Sequence, residues 1–514
     1  MLTLYFVQPY RAPPLGNTVS FFIRNTNYNA MKIKTIALTI STAVLALSCG
    51  SKSGYSWKDD LQHRVELDFC KTRSDVKEYI TKYIPDVTED QIDSWTRQGC
   101  LEALTLNGET WYFRNAGPNL FRIDKSCRAI KEAADGAEPD KAYRIGKKDI
   151  ADAAKAVRKR MKANANVNVN VNAIDDNAVT YEAGGYLSGD KYLGKPHKMR
   201  VRYILTVKPD AVPDGETVRC WLPYPRTDVP RQKNVRFIEA GWTSRPSDSS
   251  DPLYFRTELA NAEELTFSGN RSAHSSLYME AKASAGWPVV FYEEFEYESC
   301  AEWIPLGITD DDTETGIGPS GKKGAAPKEY TKERDSHILF SPRILELRDS
   351  LCKGIDKPIL KAKAFYDWVD ANFPWASARE YSTIKNIPEY VLHNRHGDCG
   401  QVSLLFITLC RSAGIPARFQ SGFMMHPGND GLHDWAEIWI DGYGWIPVDQ
   451  SFGGETYMGA LDAYRLVINN DFGRKFIPEK KYPRSETVDF QRGEVEWDGG
   501  NLYFDQWNYE MKIR

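Results

Sequence analysis

One helix-forming segment limits the folds open to this chain more than any other feature. Residues 402–409 are apolar on almost every face, which is typical of a helix surrounded by other elements. Cys399 lies just before this segment, between Gly397 and Gly400, and Gly414 ends it. We therefore predict a central, buried helix that begins at a cysteine.

The position of Cys399 favours chemistry at its sulfur. Free N–H groups and the helix dipole stabilise negative charge at a helix N-terminus, so they favour a thiolate over a thiol. A cysteine taken alone is more often a core residue than a nucleophile. Cys399 is therefore a candidate nucleophile whose interpretation depends on finding partner residues elsewhere.

Two strand-forming segments supply candidate partners. Residues 432–440 and 445–449 flank a glycine-rich turn and predict a hairpin, with His433 near its start and Asp449 at its end. A loop of two or four residues would put these two side chains on opposite faces. An odd loop length or a bulge makes them diagonal neighbours, with backbones roughly 7–8 Å apart. We predict the odd length or the bulge, because an acid at that distance can orient the imidazole.

These segments, in this order, resemble the core of the transglutaminase-like superfamily. The motifs G-D-C-G, R-S-A-G-I-P-A-R, H-D-W-A-E and G-W-I-P-V-D lie within residues 362–452. The resemblance implies an α+β, papain/transglutaminase-like core in which a cysteine-bearing helix packs on an antiparallel sheet. It also implies a catalytic triad of Cys399 as nucleophile, His433 as base and Asp449 as orienting acid. Gln450 stands where the family usually has proline.

The implied activity is that of a thiol enzyme acting on amide bonds of peptides or proteins. The oxyanion would be held by the backbone N–H of Cys399 and by a second donor, for which Trp375, Tyr381 and Gln401 remain open candidates. We expect hydrolysis, as a peptidase or deamidase, because cross-linking in water needs a special acceptor site. The alternative is a non-catalytic surface binding or scaffold protein that retains the fold.

Two neighbouring acids have simpler interpretations. We expect Asp398 to serve the turn before the helix and Glu437 to be a buried structural partner on the face of His433. No cofactor or metal is expected, because no two of the nine cysteines have C-x-x-C spacing.

The rest of the chain predicts further domains, because 514 residues exceed one ordinary domain. Helical patterns and an Asn107-Gly108 turn characterise the first region, and alternating apolar residues begin at residue 198. The predicted divisions are a small α+β accessory domain at 55–151, a basic helix and Asn/Val linker at 152–197, a β-sandwich-like domain at 198–300, a linker at 301–340, and a catalytic domain with a C-terminal β extension at 341–514. Disulfides and free thiols are both open for Cys70, Cys100 and Cys127.

The N-terminal residues 1–49 predict export. Translation is expected to start at Met31, where a short basic segment precedes the apolar residues 35–47 and then Cys49. The apolar segment is too short to span a bilayer as a helix. It resembles a bacterial lipoprotein signal, which implies that a lipid on Cys49 anchors the protein in the cell envelope, at the outer membrane or the periplasmic face. An ordinary signal peptide is the alternative.

The charge balance excludes one class of partner. The net charge is −4, from 66 basic and 70 acidic residues, and gives no electrostatic reason to expect nucleic acid. The expected partners are a peptide or protein substrate and the membrane lipid.

Overall fold

The structure is a computed structural model that describes residues 55–136, 141–165, 192–243, 258–260, 262–307 and 326–514. The predicted signal peptide and Cys49 lie outside the described residues, and so does most of the Asn/Val linker. No helix among the described residues is both long enough and apolar enough to cross a membrane.

The N-terminal region is a group of helices with one hairpin. Its elements are α1 (Trp57–Asp68), α2 (Arg73–Thr81), α3 (Glu89–Arg97), β1 (Ala103–Leu106), β2 (Glu109–Tyr112), α4 (Ala116–Ile123) and α5 (Lys125–Asp135). The predicted hairpin is confirmed, because Asn107 and Gly108 take positive φ angles of 52° and 88° between β1 and β2. Cys70, Cys100 and Cys127 are free thiols.

Two antiparallel sheets form the middle of the molecule. Their strands are β3 (Leu193–Val207), β4 (Thr217–Pro223), β5 (Gln232–Thr243), β6 (Glu258–Leu259), β7 (Thr266–Phe267), β8 (Ser276–Lys282), β9 (Val289–Trp303), β13 (Ala460–Leu461), β15 (Glu494–Trp497), β16 (Gly500–Leu502) and β17 (Trp507–Ile513). One sheet has the order β17-β3-β9-β5-β6, with β13 also paired to β9, and the other has the order β16-β15-β4-β8-β7. The predicted alternation along β3 is confirmed, because every second residue from Met199 to Val207 is buried.

The C-terminal strands complete both sheets. β17 pairs with β3 from Trp507 opposite Val207 to Ile513 opposite Val201. β15 pairs with β4 in the other sheet. The C-terminal segment is predicted to extend the catalytic domain. Its strands instead pair with strands about 300 residues earlier, as the pairing of Trp507 with Val207 shows.

The basic helix predicted at the start of the 152–197 segment begins earlier than expected and extends over α6 (Lys141–Ala165). Ala153 and Val157 are buried on its inner face. Gly194 of β3 allows close approach, because a Cβ there would lie 2.8 Å from the Ala153 side chain. The helix therefore packs directly on the sheet.

The cysteine-bearing core contains four helices and a four-stranded sheet. The helices are α7 (Pro342–Leu351), α8 (Pro358–Asn372), α9 (Ile387–Asn394) and α10 (Cys399–Ser412), and the strands are β10 (Ala417–His426), β11 (Asn429–Ile440), β12 (Gly444–Val448) and β14 (Arg465–Asn469). The sheet is antiparallel with the order β12-β11-β10-β14. Leu405 and Phe406 of α10 share one apolar core with Ala436 and Ile438 of β11. The fold class is confirmed as mixed α and β, with a cysteine-bearing helix on an antiparallel sheet.

Candidate active site

Helix α10 begins at Cys399, as the sequence predicts. Asp398 caps it, because its Oδ1 accepts the N–H of Gln401 at 3.0 Å while Gln401 Oε1 accepts the N–H of Asp398 at 3.3 Å. Residues 400–411 are all buried. The prediction of a central helix with a cysteine at its N-terminus is therefore confirmed, and Asp398 serves the helix start.

Gly400 is needed for packing around the cysteine. It is the second residue of α10. A Cβ at this position would lie 2.3 Å from the Tyr381 hydroxyl and 2.7 Å from Asp434 Oδ2. The missing side chain is what lets both groups approach Cys399.

The thiol of Cys399 contacts a carboxylate. Its Sγ donates a hydrogen bond to Asp434 Oδ2 at 3.3 Å, and Asp434 Oδ1 accepts one from Gln491 Nε2 at 2.8 Å. Burial, followed by the negative charges of Asp434 and Asp398, raises the pKa of the Cys399 thiol well above its ordinary value. The helix N-terminus alone predicts a shift in the opposite direction, so burial and the surrounding carboxylates together outweigh it.

His433 and Asp449 form a buried pair. His433 Nε2 lies 2.8 Å from Asp449 Oδ2, and Asp449 also contacts Arg465 Nη2 at 3.2 Å. Burial lowers the pKa of His433, although Asp449 acts in the opposite direction. Burial acts to raise the pKa of Asp449, but the positive charges of His433 and Arg465 together leave it lowered. Asp449 is therefore held as a carboxylate.

The hairpin loop has the odd length that the sequence analysis predicts. Ile440 pairs with Gly444, so residues 441–443 form a three-residue loop. The ladder ends with Ala436 opposite Val448, so the next residue, Asp449, lies opposite Trp435. Trp435 is two residues from His433 and therefore shares its face of the strand. The predicted diagonal relationship between His433 and Asp449 is confirmed.

The thiol and the imidazole have different partners. Asp434 contacts Cys399 and His433 contacts Asp449, as expected when adjacent residues of a strand project to opposite faces. Within the part of the chain that the structure describes, no hydrogen bond joins Cys399 Sγ to His433. The structure therefore brings His433 and Asp449 of the predicted triad together. Cys399, the third member, contacts Asp434, which follows His433 on β11.

Residues 346–450 match the family model of the transglutaminase-like superfamily core. The matched range contains Cys399, His433 and Asp449. The chain carries a transglutaminase-like domain.

Other proteins resemble parts of the chain. The protein YebA of Bacillus subtilis (strain 168), itself uncharacterized, is 25% identical over 170 residues, which cover 27% of this chain and 23% of YebA. The chain thus spans less than a quarter of that relative. Among solved structures, a candidate cysteine protease from Cytophaga hutchinsonii is 14% identical, with 63% of this chain and 92% of that chain covered and a TM-score of 0.37. The periplasmic domain of TgpA from Pseudomonas aeruginosa is 15% identical, with 48% and 93% covered and a TM-score of 0.23.

Asp434 is the residue of the transglutaminase-like domain that the sequence analysis missed. The available signal is its place in the alternation of β11. Ala436 and Ile438, on the same face, pack against α10 in the apolar core. A carboxyl group such as that of Asp434 on this otherwise apolar face needs a polar partner, and the start of α10 lies opposite it.

Two other polar residues support the domain. Glu437 accepts a hydrogen bond from Arg418 at 2.6 Å with both side chains buried, so the prediction of a structural partner is confirmed. Gln450, at the position where proline is usual, donates to Ser403 at 2.6 Å, and Ser403 donates to the carbonyl of Cys399 at 2.6 Å. Gln450 thus ties the end of β12 to the first turn of α10.

A cleft of about 320 Å³ opens beside Cys399. Its walls come from the loop at residues 375–381, the start of α10, the segment 485–492, Arg114 of the N-terminal region and Tyr509 of β17. Trp375 and Tyr381 are among the lining residues, and the Tyr381 hydroxyl donates to Asp398 at 2.6 Å. Gln401 is not among the described residues that line the cleft. Of the three candidate oxyanion donors, two therefore face the space beside the thiol.

Proposed function

We propose that this protein is a cysteine-dependent amide hydrolase of transglutaminase-like type that acts on peptides or proteins. The proposal is supported by the buried pair of His433, on β11, with Asp449, just after β12, and by the contact of the next β11 residue, Asp434, with Cys399. Cys399 serves as the nucleophile, His433 as the general base, and Asp449 orients the imidazole.

The reaction begins with a local rearrangement at the start of β11 that moves the Cys399 thiol from Asp434 to His433, whose imidazole accepts the thiol proton. The sulfur attacks the amide carbonyl, and the backbone N–H at the start of α10 stabilises the oxyanion. The C–N bond then breaks, and His433 returns the proton to the leaving amine or ammonia. Water, losing a proton to His433, hydrolyses the thioester and restores the thiol. Asp449 stabilises the imidazolium in both halves of the reaction and is itself held by Arg465.

The experiment compares three forms of the full chain on peptide libraries. Mass spectrometry scores cleavage, deamidation and amine incorporation by the wild type, Cys399→Ala and the control Cys70→Ala, whose thiol is exposed and outside the domain. We expect cleavage or deamidation by the wild type and by Cys70→Ala only. Turnover by Cys399→Ala would contradict the proposal, and amine incorporation would replace hydrolysis with cross-linking.

One observation favours a second candidate, a non-catalytic binding module that retains the fold. The Cys399 thiol is bonded to Asp434, and its pKa is raised instead of lowered. Alkylation by iodoacetamide at neutral pH distinguishes the two functions. If His433 activates the thiol, His433→Gln slows labelling of Cys399, whereas in a binding module the labelling rate is unchanged.

We propose further that the protein is exported and anchored by a lipid on Cys49. The support is the basic and apolar segment before that cysteine. Cells grown with a labelled fatty acid should yield labelled protein in the membrane fraction, and Cys49→Ser should remove both the label and the membrane association. Label retained by Cys49→Ser would contradict the anchor.

A further inference from the structure

The cleft beside Cys399 is lined by more carboxyl groups than guanidinium groups. Among the described residues the carboxyl side chains are Glu380, Asp398, Asp434, Glu486 and Asp489, and the guanidinium side chains are Arg114, Arg379 and Arg492. A cluster of acids attracts a cation only where its charges are not already neutralised. The pairing of each group therefore decides what the cleft can bind.

The arginines are occupied by acids other than Asp434 and Asp489. Their ion pairs are Arg492 with Glu380 at 2.7 Å and with Glu486, Arg114 with Glu380 at 2.9 Å, and Arg379 with Glu102 at 3.6 Å. Asp398 is occupied as well, because it caps α10 and accepts the Tyr381 hydroxyl. Two carboxyl groups remain.

Asp489 has no hydrogen-bond donor on its carboxylate among the described residues. Its side chain lines the cleft, and the residue is only 7% exposed. Its backbone carbonyl, by contrast, accepts a bond from Arg484. Burial, with the negative charges of Glu486 and Asp434, raises the pKa of Asp489 well above its ordinary value. A buried acid left in this state is stabilised by a cation that donates hydrogen bonds.

Asp434 is only weakly satisfied on the side that faces the cysteine. The donor to its Oδ2 is the Cys399 thiol at 3.3 Å, and a thiol is a weak donor. Both residues line the same cleft, and the negative charge of Asp434 contributes to raising the pKa of Asp489. The two carboxyl groups therefore belong to one electrostatic unit beside the reactive sulfur.

We propose that Asp434 and Asp489 bind a protonated amine of the substrate next to Cys399. An ammonium group carries one positive charge and three donors, which suits the carboxyl group of Asp489 and the Oδ2 atom of Asp434, whose donor is the weak Cys399 thiol. The substrate would be a peptide with a lysine-like side chain or a free N-terminal amine near the scissile amide. The assignment of this amine to a substrate rests on the proposed function, whereas binding of an ammonium group does not.

The same contacts explain why the bound amine would not act as an acyl acceptor. A bound ammonium group favours the ionised form of both acids, their charges in turn keep the amine protonated, and an ammonium ion is not a nucleophile. The amine is therefore a recognition group, in agreement with hydrolysis. Its bond to Asp434 Oδ2 also replaces the bond made by the thiol, which frees Cys399 for His433.

Calorimetric titration of the full chain carrying Cys399→Ala tests the site without turnover. The side-chain probe is N-acetyl-lysine methylamide, compared with its norleucine analogue, which lacks the amine. The N-terminal probe is alanine methylamide, compared with N-acetylalanine methylamide. We expect at least one amine to bind about tenfold more tightly than its neutral partner, as charge-assisted hydrogen bonds predict. The probe pair that shows the preference for the amine tells whether the site binds a lysine-like side chain or a free N-terminus.

Variants assign the binding to Asp489. In the same background, Asp489→Asn should remove the preference for the amine, and the exposed control Glu263→Gln should keep it. Equal affinities within both probe pairs would overturn the proposal, and so would an unchanged preference in a folded Asp489→Asn chain. If Asp489→Asn does not fold, the probe pairs on the parent chain still decide. If the amine probes are preferred but the wild type shows no turnover, the binding site is supported and the proposed enzymatic function is contradicted.

Discussion

Two opposing effects act on the thiol of Cys399. The N-terminus of α10 favours the thiolate, whereas burial and the carboxylates of Asp434 and Asp398 favour the thiol. Burial is the largest of these effects, and Asp434 adds to it because it touches the sulfur itself. Activation of Cys399 therefore depends in part on moving Asp434 out of contact or neutralising it.

This balance predicts the effect of Asp434→Asn. Loss of the neighbouring negative charge should lower the pKa of Cys399, so alkylation at neutral pH should become roughly tenfold faster for each pKa unit removed. The measurement is the rate of iodoacetamide labelling of Cys399 across pH, followed by peptide mass spectrometry. The midpoint should shift to lower pH. A midpoint that stays in place or rises would show that Asp434 does not control the thiol.

Gly400 provides a second test around the cysteine. Gly400→Ala puts a methyl group 2.3 Å from the Tyr381 hydroxyl and 2.7 Å from Asp434 Oδ2, so one of them must move. We expect a loss of about 1–3 kcal/mol in the free energy of unfolding, measured by urea denaturation. Gly431→Ala is the matched control, because a Cβ there meets nothing within 4 Å. Equal stability of the two variants would contradict the packing described for Gly400.

At the scale of elements, strand β11 separates two environments. One face packs against α10, and the other carries His433 with a buried ion network. Arg465 lies at the centre of that network, 3.2 Å from Asp449 and 3.2 Å from Asp462, and its guanidinium lies over the Phe452 ring. Removing this one cation leaves two buried carboxylates without their shared partner.

We therefore expect Arg465→Met to be strongly destabilising. A loss of about 3–5 kcal/mol in the free energy of unfolding is typical when one partner of a buried ion network is removed. Arg236→Met, which breaks an ion pair at a side chain that is 63% exposed, is the control and should leave the urea midpoint unchanged. Comparable midpoints for the two variants would mean that the network does not stabilise the sheet.

The core elements were predictable because their signals are local. The apolar helix, its cysteine start and the hairpin each follow from fewer than about twenty neighbouring residues. Asp434 was missed because its contact with Cys399 depends on which face of β11 meets α10. The sheet partners of residues 494–513 were missed because pairing with strands from the first half of the chain leaves no local pattern.

At the scale of the whole molecule, the cleft is built from distant parts of the chain. Arg114, Cys399, Gln491 and Tyr509 line the same space, although they come from the N-terminal region, the transglutaminase-like domain and the C-terminal segment. The pairing of β17 with β3 holds Tyr509 in its place in the cleft wall. The stability of the cleft therefore depends on the C-terminal strands.

Trp507 tests this dependence. It is 2% exposed, begins β17 and donates to the Leu502 carbonyl at 2.9 Å. Trp507→Ala should cost about 3–5 kcal/mol in the free energy of unfolding, as expected for a large core side chain. Trp287→Ala is the control, because Trp287 is 47% exposed and its loss should change stability by less than about 0.5 kcal/mol. Similar urea midpoints would contradict the role of β17.

Activation of Cys399 by His433 is tested by acylation of the thiol with p-nitrophenyl acetate, measured by rapid mixing. We expect a nitrophenolate burst that matches the enzyme concentration, with the acetyl group mapped to Cys399. We also expect His433→Gln to slow the burst by about 100-fold or more, because the general base is lost. An acetyl group on another residue, or an unchanged burst in His433→Gln, would contradict the claim that His433 activates Cys399.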